Sequence, residues 1–364
     1  DVNMFYVITP SQEELSKKYA SLGERVVFIA EQRFNFTGEL VADTMLKAVK
    51  DHGIYPLNNG NSQFEKALWG KIGWHLQQLL KLYAGKVLNL NDYVLIDGDC
   101  VWYKDIKFIS TNQDPSNKRP YKYYYTTSTQ YHGPYLASSK RISGIEPYKD
   151  SGNFRSGVVH HMVLVKEVLN SLFLTSEKLH GNKKEMWEIM LSESALEMTC
   201  RAPRPSICGA GSTLSEYELY LSFARTKYPN TVELRPLLWA NGPMPGLIYW
   251  PDPNDPIPLL SSDSPKHKWL SNRGPNEIME TYERQMASDR ISGYDFIVYH
   301  GYAKRRYFEL HKEDIDILCK DSIEPFNTTC SYRGLDRLEM RPDRTPQDWF
   351  KGCGCFMAKH AGGQ

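Results

Sequence analysis

The sequence predicts a mixed α/β fold in which a mostly parallel sheet is covered on both faces by helices. Two short apolar segments, residues 4–8 and 26–29, flank an amphipathic segment at 11–19, which is a strand–helix–strand order. A longer amphipathic helix at 62–83 then precedes an apolar strand at 93–96. Because strands that alternate with helices usually pair in parallel, these observations favour one sheet with helices on both sides.

Capping residues set the expected ends of the first helices. Ser11 with Glu14, and Ser62 with Glu65, have the spacing of capping boxes, so each serine is expected at a helix N-cap. Gly85 is expected to end the second of these helices, because glycine is common directly after the last helical residue.

The later elements are spaced less regularly. Helices are expected over residues 158–173, 184–198 and 215–227, and strands over 121–125 and 296–299. Prolines recur between residues 235 and 275, so this segment cannot be regular structure throughout. We expect there either a long ordered loop over an active site or a surface excursion.

Composition excludes several classes of protein. The 364 residues include 44 basic and 43 acidic side chains and carry a net charge of +1, so nucleic-acid binding is not expected. No apolar run approaches the ~20 residues of a membrane span, and no signal-like stretch opens the sequence. The odd number of cysteines, 7, fits a reducing compartment, so we expect a cytoplasmic protein. A secretory lumen is the alternative if a leader or anchor has been removed.

Asp97-Gly98-Asp99 directly follows the apolar run at 93–96 and is the strongest candidate for a chemical site. Side chains of a strand alternate between faces, so two carboxylates one residue apart point the same way and can hold one divalent cation. Three interpretations stay open. The motif is a surface turn, the motif of a haloacid dehalogenase-type phosphohydrolase with Asp97 as nucleophile, or the DxD of a nucleotide-sugar glycosyltransferase.

Four motifs in order favour the glycosyltransferase. They are Gly73-Trp74-His75-Leu76-Gln77-Gln78 with Lys81, Asp97-Gly98-Asp99, His160-His161-Met162 and Ser215-Glu216-Tyr217-Glu218. Over about residues 4–220 they resemble a family of GT-A glycosyltransferases associated with bacterial surface polysaccharides, similar to domains in glycan-building proteins of large algal viruses. The resemblance implies a Rossmann-like GT-A sheet flanked by helices, a Mn²⁺ or Mg²⁺ ion, and a nucleoside diphosphate sugar as donor, with a UDP-sugar preferred.

We expect one GT-A domain followed by an extension. Residues 1–310 would form the GT-A domain, with about 1–110 binding the nucleotide-sugar and about 111–310 binding the acceptor, and residues 311–364 would be a C-terminal extension. The implied partners are the nucleotide-sugar donor and a glycan or glycoprotein acceptor. Neither nucleic acid nor a transmembrane segment is expected.

Candidate site residues follow from the motifs. Glu216 resembles the acidic residue that serves as catalytic base at the start of a helix in many inverting GT-A enzymes, whereas Glu218 is expected to close a capping box with Ser215. If the enzyme is retaining, Glu216 is not the base, and a non-catalytic glycan-binding module is a further alternative. The residues expected to bind the donor are Lys81, Gln77, Gln78, Asp97 and Lys304.

Three residues are expected to hold the metal ion, namely Asp97, Asp99 and His300. His300 ends the strand predicted at 296–299 and resembles the C-terminal histidine that completes the ion site in many GT-A enzymes. His160, His161 and His132 are expected near the donor or acceptor. Adjacent histidines on a helix point about 100° apart, so at most one of His160 and His161 is expected to face the site.

Overall fold

A computed structural model describes six stretches of the chain and several single positions. The described residues are 3–53, 68–110, 121–150, 152–199, 212–243 and 294–300, with Glu283, Met286, Ala287, Leu310, His311, Asp314, Ile317 and Leu318. They divide into two compact units. Unit 1 comprises Asp1–Leu95, Tyr131–Gly157 and Val163–Pro229, and unit 2 comprises Ile96–Gln130, Val158–Met162 and Asn230–Gln364.

The chain opens with the predicted strand–helix–strand order. Strand β1 is Phe5–Thr9, helix α1 is Gln12–Lys18 and strand β2 is Val26–Ala30. The two strands pair in parallel, with Phe5 opposite Val26 and Thr9 opposite Ala30. Ser11 is the N-cap of α1, but its side chain makes no capping hydrogen bond, because its φ of −107° and ψ of 47° lie outside the extended region usual for an N-cap. The predicted capping box at Ser11 is therefore wrong.

The next two helices of unit 1 are α2, Gly38–Asp51, and α3, Ile72–Val87. Residues 70 and 71 form a turn, so α3 starts later than predicted, and the predicted start at Ser62 lies outside the described residues. Gly85 lies inside α3 and does not end it. A Cβ atom at Gly85 would be 2.7 Å from Cε1 of Tyr93, so this glycine permits close packing of the Tyr93 ring.

The middle of the chain forms short strands around one helix. These elements are β3, Asp92–Ile96; β4, Cys100–Trp102; β5, Ile109–Ser110; β6, Lys122–Tyr125; α4, Gly133–Ser143; β7, Lys149–Asp150; and β8, Asn153–Phe154. The strand predicted at 121–125 is confirmed. The apolar run before Asp97 is a strand, as expected, but it is only partly buried, and Ile96 is 39% exposed.

The remaining elements are β9, His161–Val165; α5, Lys166–Leu179; α6, Met186–Met198; α7, Glu216–Lys227; β10, Val232–Leu234; β11, Trp239–Pro243; and β12, Phe296–His300. Helices α6 and α7 and strand β12 confirm the predictions for those segments. The helix predicted at 158–173 is wrong, since its first apolar residues form β9 and helix α5 begins only at Lys166.

Helices dominate unit 1, where α2, α4 and α5 pack against α6. The sheets are small: β1 pairs with β2, β3 with β9, and β7 with β8, while the two three-stranded sheets have the orders β10-β6-β5 and β11-β12-β4. The mixed α/β class is confirmed. Among the described residues no sheet exceeds three strands, so one mostly parallel central sheet stays a prediction.

An aromatic ladder fixes the register of the sheet β11-β12-β4 in unit 2. Phe296 of β12 lies opposite Trp239 in the parallel pairing and opposite Trp102 in the antiparallel pairing. Its ring stacks on both, with centroids 5.3 Å from Trp239 and 4.6 Å from Trp102. A one-residue slip of β12 would turn the Phe296 ring to the other face of the sheet, away from both tryptophans. The ladder therefore favours this register of β12, which places His300 at its end.

None of the helices in the described stretches has the length and apolarity that crossing a bilayer requires.

Candidate metal centre

Asp97-Gly98-Asp99 forms the turn between β3 and β4 in unit 2. The backbone amide of Cys100 donates to the carbonyl of Asp97 at 3.1 Å, which closes the turn. The side chains of Asp97 and Asp99 therefore converge because the chain turns at this point. The sequence alone predicts their convergence for a different reason, the alternation of side chains along a strand. One ligand atom from each of Asp97, Asp99 and His160 lies within 4.8 Å of the other two.

His160 faces the turn from the residue that precedes β9. Its Nδ1 lies 3.0 Å from Oδ2 of Asp97, and its carbonyl accepts a hydrogen bond from the amide of Asp97 at 2.9 Å. The backbone of His160 is left-handed, with φ of 61°, a conformation in which histidine is several-fold enriched among non-glycine residues. Sequence reasoning did not identify His160 as a metal ligand.

His161 is directed away from the carboxylates into the core of unit 2. It packs edge-on against the rings of Trp102, Phe108 and Phe296, with centroid separations of 4.9, 5.9 and 5.0 Å. Burial lowers the pKa of His161 to about 3, so it is neutral at physiological pH. Of the two adjacent histidines in the described residues, His160 contacts the Asp97 carboxylate and His161 does not. Their side chains diverge at the start of strand β9, whereas the sequence predicts a helix there.

His300 contacts Asp99 from the end of β12. Its Nδ1 lies 3.1 Å from Oδ2 of Asp99, and its Nε2 lies 2.9 Å from Oδ1 of Asn241 on β11. Burial lowers the pKa of His300, and the hydrogen bond with Asp99 only partly opposes this shift. A neutral imidazole is the form that binds metal ions, so the expected place of His300 beside Asp99 is chemically suited to an ion.

The carboxylate of Asp99 supplies the observation that fits a cation. Its Oδ1 atom is buried and has no hydrogen-bond partner among the described residues. A buried carboxylate oxygen without a partner is costly, whereas coordination to a divalent cation would compensate for the lost hydration. Oxygen atoms from Asp97 and Asp99, with neighbouring imidazole nitrogen, are ligands that Mn²⁺ and related ions accept.

A second polar cluster lies in unit 1, where α3 faces the start of α7. Nζ of Lys81 and Oε1 of Glu216 are 2.6 Å apart, and both side chains are buried. The backbone amide of Glu216 donates to Oε1 of Gln78 at 3.2 Å, and the ammonium of Lys81 lies 4.7 Å from the Tyr217 ring centre. Gln77 is exposed on α3, so the polar residues predicted together on this helix are divided between solvent and interior.

Glu218 has a different structural role from the one expected. Ser215 is the N-cap of α7 and its Oγ accepts from the amide of Glu218 at 3.3 Å, as predicted. The carboxylate of Glu218 instead accepts hydrogen bonds from Ser156 Oγ and the Gly157 amide, both at 3.0 Å, and from Ser222 Oγ at 3.2 Å. The predicted reciprocal bond to the N-cap amide is therefore wrong, since these three donors occupy the side chain. Burial raises the pKa of Glu218 to about 7.

His132 joins neither of these two clusters. His132 precedes α4, and its Nε2 lies 2.9 Å from the carbonyl of Ser212 within unit 1. Lys304, predicted to bind the donor diphosphate, lies outside the described residues.

Comparison with known proteins identifies one similarity. Residues 1–232 match the sequence profile of a family of unknown function, DUF6492. The match includes Asp97, Asp99 and His160, whereas β12 with His300 lies beyond it. No curated protein and no solved structure shows significant similarity to the chain.

Proposed function

The chain belongs to the DUF6492 family of unknown function, and for it we propose a metal-dependent glycosyltransferase that moves a sugar from a nucleoside diphosphate sugar to a glycan hydroxyl. The proposal rests on the proximity of the Asp97 and Asp99 carboxylates and on the buried Oδ1 of Asp99, which has no hydrogen-bond partner in the part of the chain that the structure describes. The order of the sequence motifs around this turn, which resembles GT-A glycosyltransferases, supports it further.

The residues of unit 2 have separate tasks in this proposal. Asp97 and Asp99 would hold a divalent ion, which would supply positive charge to stabilise the diphosphate leaving group of the donor. His300 holds the Asp99 carboxylate in place, and Asn241, which is 1% exposed, holds the other ring nitrogen of His300. By fixing the His300 imidazole, the buried amide of Asn241 also helps to orient the Asp99 carboxylate.

Transfer to a hydroxyl also requires a base, and for inversion we propose Glu216. In this mechanism the glutamate removes the acceptor proton while the hydroxyl attacks the anomeric carbon opposite the diphosphate. Glu216 is 1% exposed and ion-paired with Lys81, so an acceptor hydroxyl would have to reach the buried carboxylate. A product whose anomeric configuration is retained, measured by proton NMR at early times, would remove Glu216 from this role.

A thermal-shift screen tests the donor class. The intact protein is heated with nucleoside diphosphates and their sugars, with Mn²⁺ or with a chelator, and the unfolding midpoint is measured. Because a ligand that binds only the folded state raises the midpoint, we expect a nucleotide shift that requires Mn²⁺. A shift with phosphomonoesters, with release of inorganic phosphate and a phosphoaspartate at Asp97, would overturn the proposal in favour of a phosphohydrolase. A shift with free glycans alone would favour a binding module.

A further inference from the structure

We infer that His160 is a direct ligand of the bound ion and makes the site selective for a first-row transition-metal ion, such as Mn²⁺ or Co²⁺, over Mg²⁺ and Ca²⁺. This inference rests on the cation site of the proposed function and specifies its chemistry. Neither the sequence motifs nor the family assign His160 a ligand role.

The distances around His160 suit a ligand pair. Metal–ligand bonds to histidine nitrogen and carboxylate oxygen are about 2.0–2.2 Å long. Two ligands at right angles around such an ion are therefore roughly 3 Å apart, from the same bond lengths. Nδ1 of His160 is 3.0 Å from Oδ2 of Asp97, and Nδ1 of His300 is 3.1 Å from Oδ2 of Asp99. Each imidazole thus stands at the spacing of an adjacent ligand to one carboxylate.

The backbone holds His160 in this position before any ion binds. Its carbonyl accepts hydrogen bonds from the amide of Asp97 at 2.9 Å and from Sγ of Cys100 at 3.4 Å, so both ends of the aspartate turn are tied to it. The next residue, His161, is fixed in the aromatic core, which leaves His160 facing the carboxylates. Ligands that are already in place lose little conformational entropy on binding the ion.

Imidazole nitrogen determines the preferred metal. The ring centres of His160 and His300 are 4.9 Å apart, so nitrogen surrounds the same carboxylate pair from two sides. Mg²⁺ and Ca²⁺ prefer oxygen ligands, whereas transition-metal ions bind imidazole nitrogen with affinities that rise along the first row. A site with two carboxylates and an imidazole ligand therefore favours the transition-metal ions.

Pulsed electron paramagnetic resonance of bound Mn²⁺ tests the inference with the ion alone. Directly bound imidazole nitrogen gives a ¹⁴N coupling, which we expect in the wild-type protein and expect to weaken in His160→Gly. Glycine is the informative replacement because it adopts the left-handed φ of 61° that residue 160 requires. Asn182→Gly, at another non-glycine residue with positive φ (56°), is the matched control and should leave the coupling unchanged.

Metal titrations of the same variants give the second readout. His160→Gly should lower the affinity for Mn²⁺ by about tenfold or more while changing the affinity for Mg²⁺ much less, because Mg²⁺ gains little from nitrogen. An unchanged ¹⁴N coupling with an unchanged ratio of Mn²⁺ to Mg²⁺ affinity would overturn the inference, as would a coupling lost only in His300→Gln. These experiments contain no nucleotide, so they can fail while the donor screen succeeds, and the reverse.

Discussion

At the scale of single residues, two glutamates that are neighbours in sequence have opposite electrostatic environments. Glu216 is paired with the ammonium of Lys81, whereas Glu218 accepts hydrogen bonds from uncharged donors only. Both side chains are 1% exposed. Removing the cation beside a buried carboxylate leaves a buried negative charge without compensation, which destabilises the fold. A buried carboxylate with no cation beside it instead has a raised pKa. Substitutions that change the environment of Glu216 or of Glu218 should therefore affect stability in different ways.

Lys81→Met should strongly destabilise unit 1. It leaves the carboxylate of Glu216 buried without the ammonium that lies 2.6 Å away, and breaking such a pair typically costs about 3–5 kcal/mol. The double variant Lys81→Met with Glu216→Gln should recover part of this loss, because no unpaired charge remains. Urea unfolding measures both. Lys47→Met provides the control, since the Lys47–Asp51 pair is exposed and screened by solvent, so its loss should change stability little. Equal losses of stability in Lys47→Met and Lys81→Met would contradict a buried ion pair between Lys81 and Glu216.

Glu218→Gln should change how stability depends on pH. Burial raises the pKa of Glu218 from 4.5 to about 7, so the folded protein keeps a proton that the unfolded chain loses near pH 4.5. The free energy of unfolding therefore falls as pH rises from about 4.5 to about 7, by of order 3 kcal/mol for this group. Glutamine does not titrate, so the variant lacks this fall in stability.

The stability of Glu218→Gln relative to the wild type should thus increase between pH 5 and pH 8. Denaturant titrations at several pH values measure the difference, and other titrating groups cancel in the comparison. Glu146→Gln, at an exposed side chain, controls for general charge effects. A difference for Glu218→Gln that is constant across this range would contradict the assigned environment.

At the scale of elements, the sequence predicts well where a segment rich in apolar residues is bounded by turn or capping residues. The opening strands, α6 and α7 lie where expected, because each is such a segment. The helix predicted at 158–173 fails because its start is a run of five buried residues, His161 to Val165, whose length and burial suit a strand as well as a helix. Only pairing with β3, far away in sequence, decides between them.

Gly157→Ala should disrupt the junction between the loop after β8 and helix α7. A Cβ atom at Gly157 would lie 2.5 Å from the carbonyl oxygen of Tyr217, which is backbone and cannot easily move. We expect a destabilisation of roughly 1–3 kcal/mol or more, as for other overpacked sites. Gly73→Ala is the matched control, because Gly73 lies in α3 with nothing within 4 Å of its Cβ position. That change should be neutral or stabilising by up to about 1 kcal/mol, and thermal unfolding of both variants checks the contrast.

At the scale of the whole molecule, the candidate metal centre depends on contacts that no local pattern reveals. The carboxylates could be predicted, because Asp97-Gly98-Asp99 is contiguous and follows an apolar strand. The contact between Asp99 and His300 spans 201 residues and depends on the pairing of β12 with β4. His160 could be found only if β9 is recognised as a strand, which places the histidine at its amino end beside the turn.

The role of the two aspartates is tested most directly by calorimetric titration of a nucleoside diphosphate into the intact protein. The titration uses the diphosphate with the largest thermal shift, with Mn²⁺ or a chelator, in the wild type and in Asp97→Asn, Asp99→Asn and Asp105→Asn. We predict binding that requires Mn²⁺, is weakened by about tenfold or more in the first two variants, and is unchanged at the exposed Asp105. Binding that is equally tight with the chelator, or unaffected by both Asp97→Asn and Asp99→Asn, would contradict the proposed metal centre.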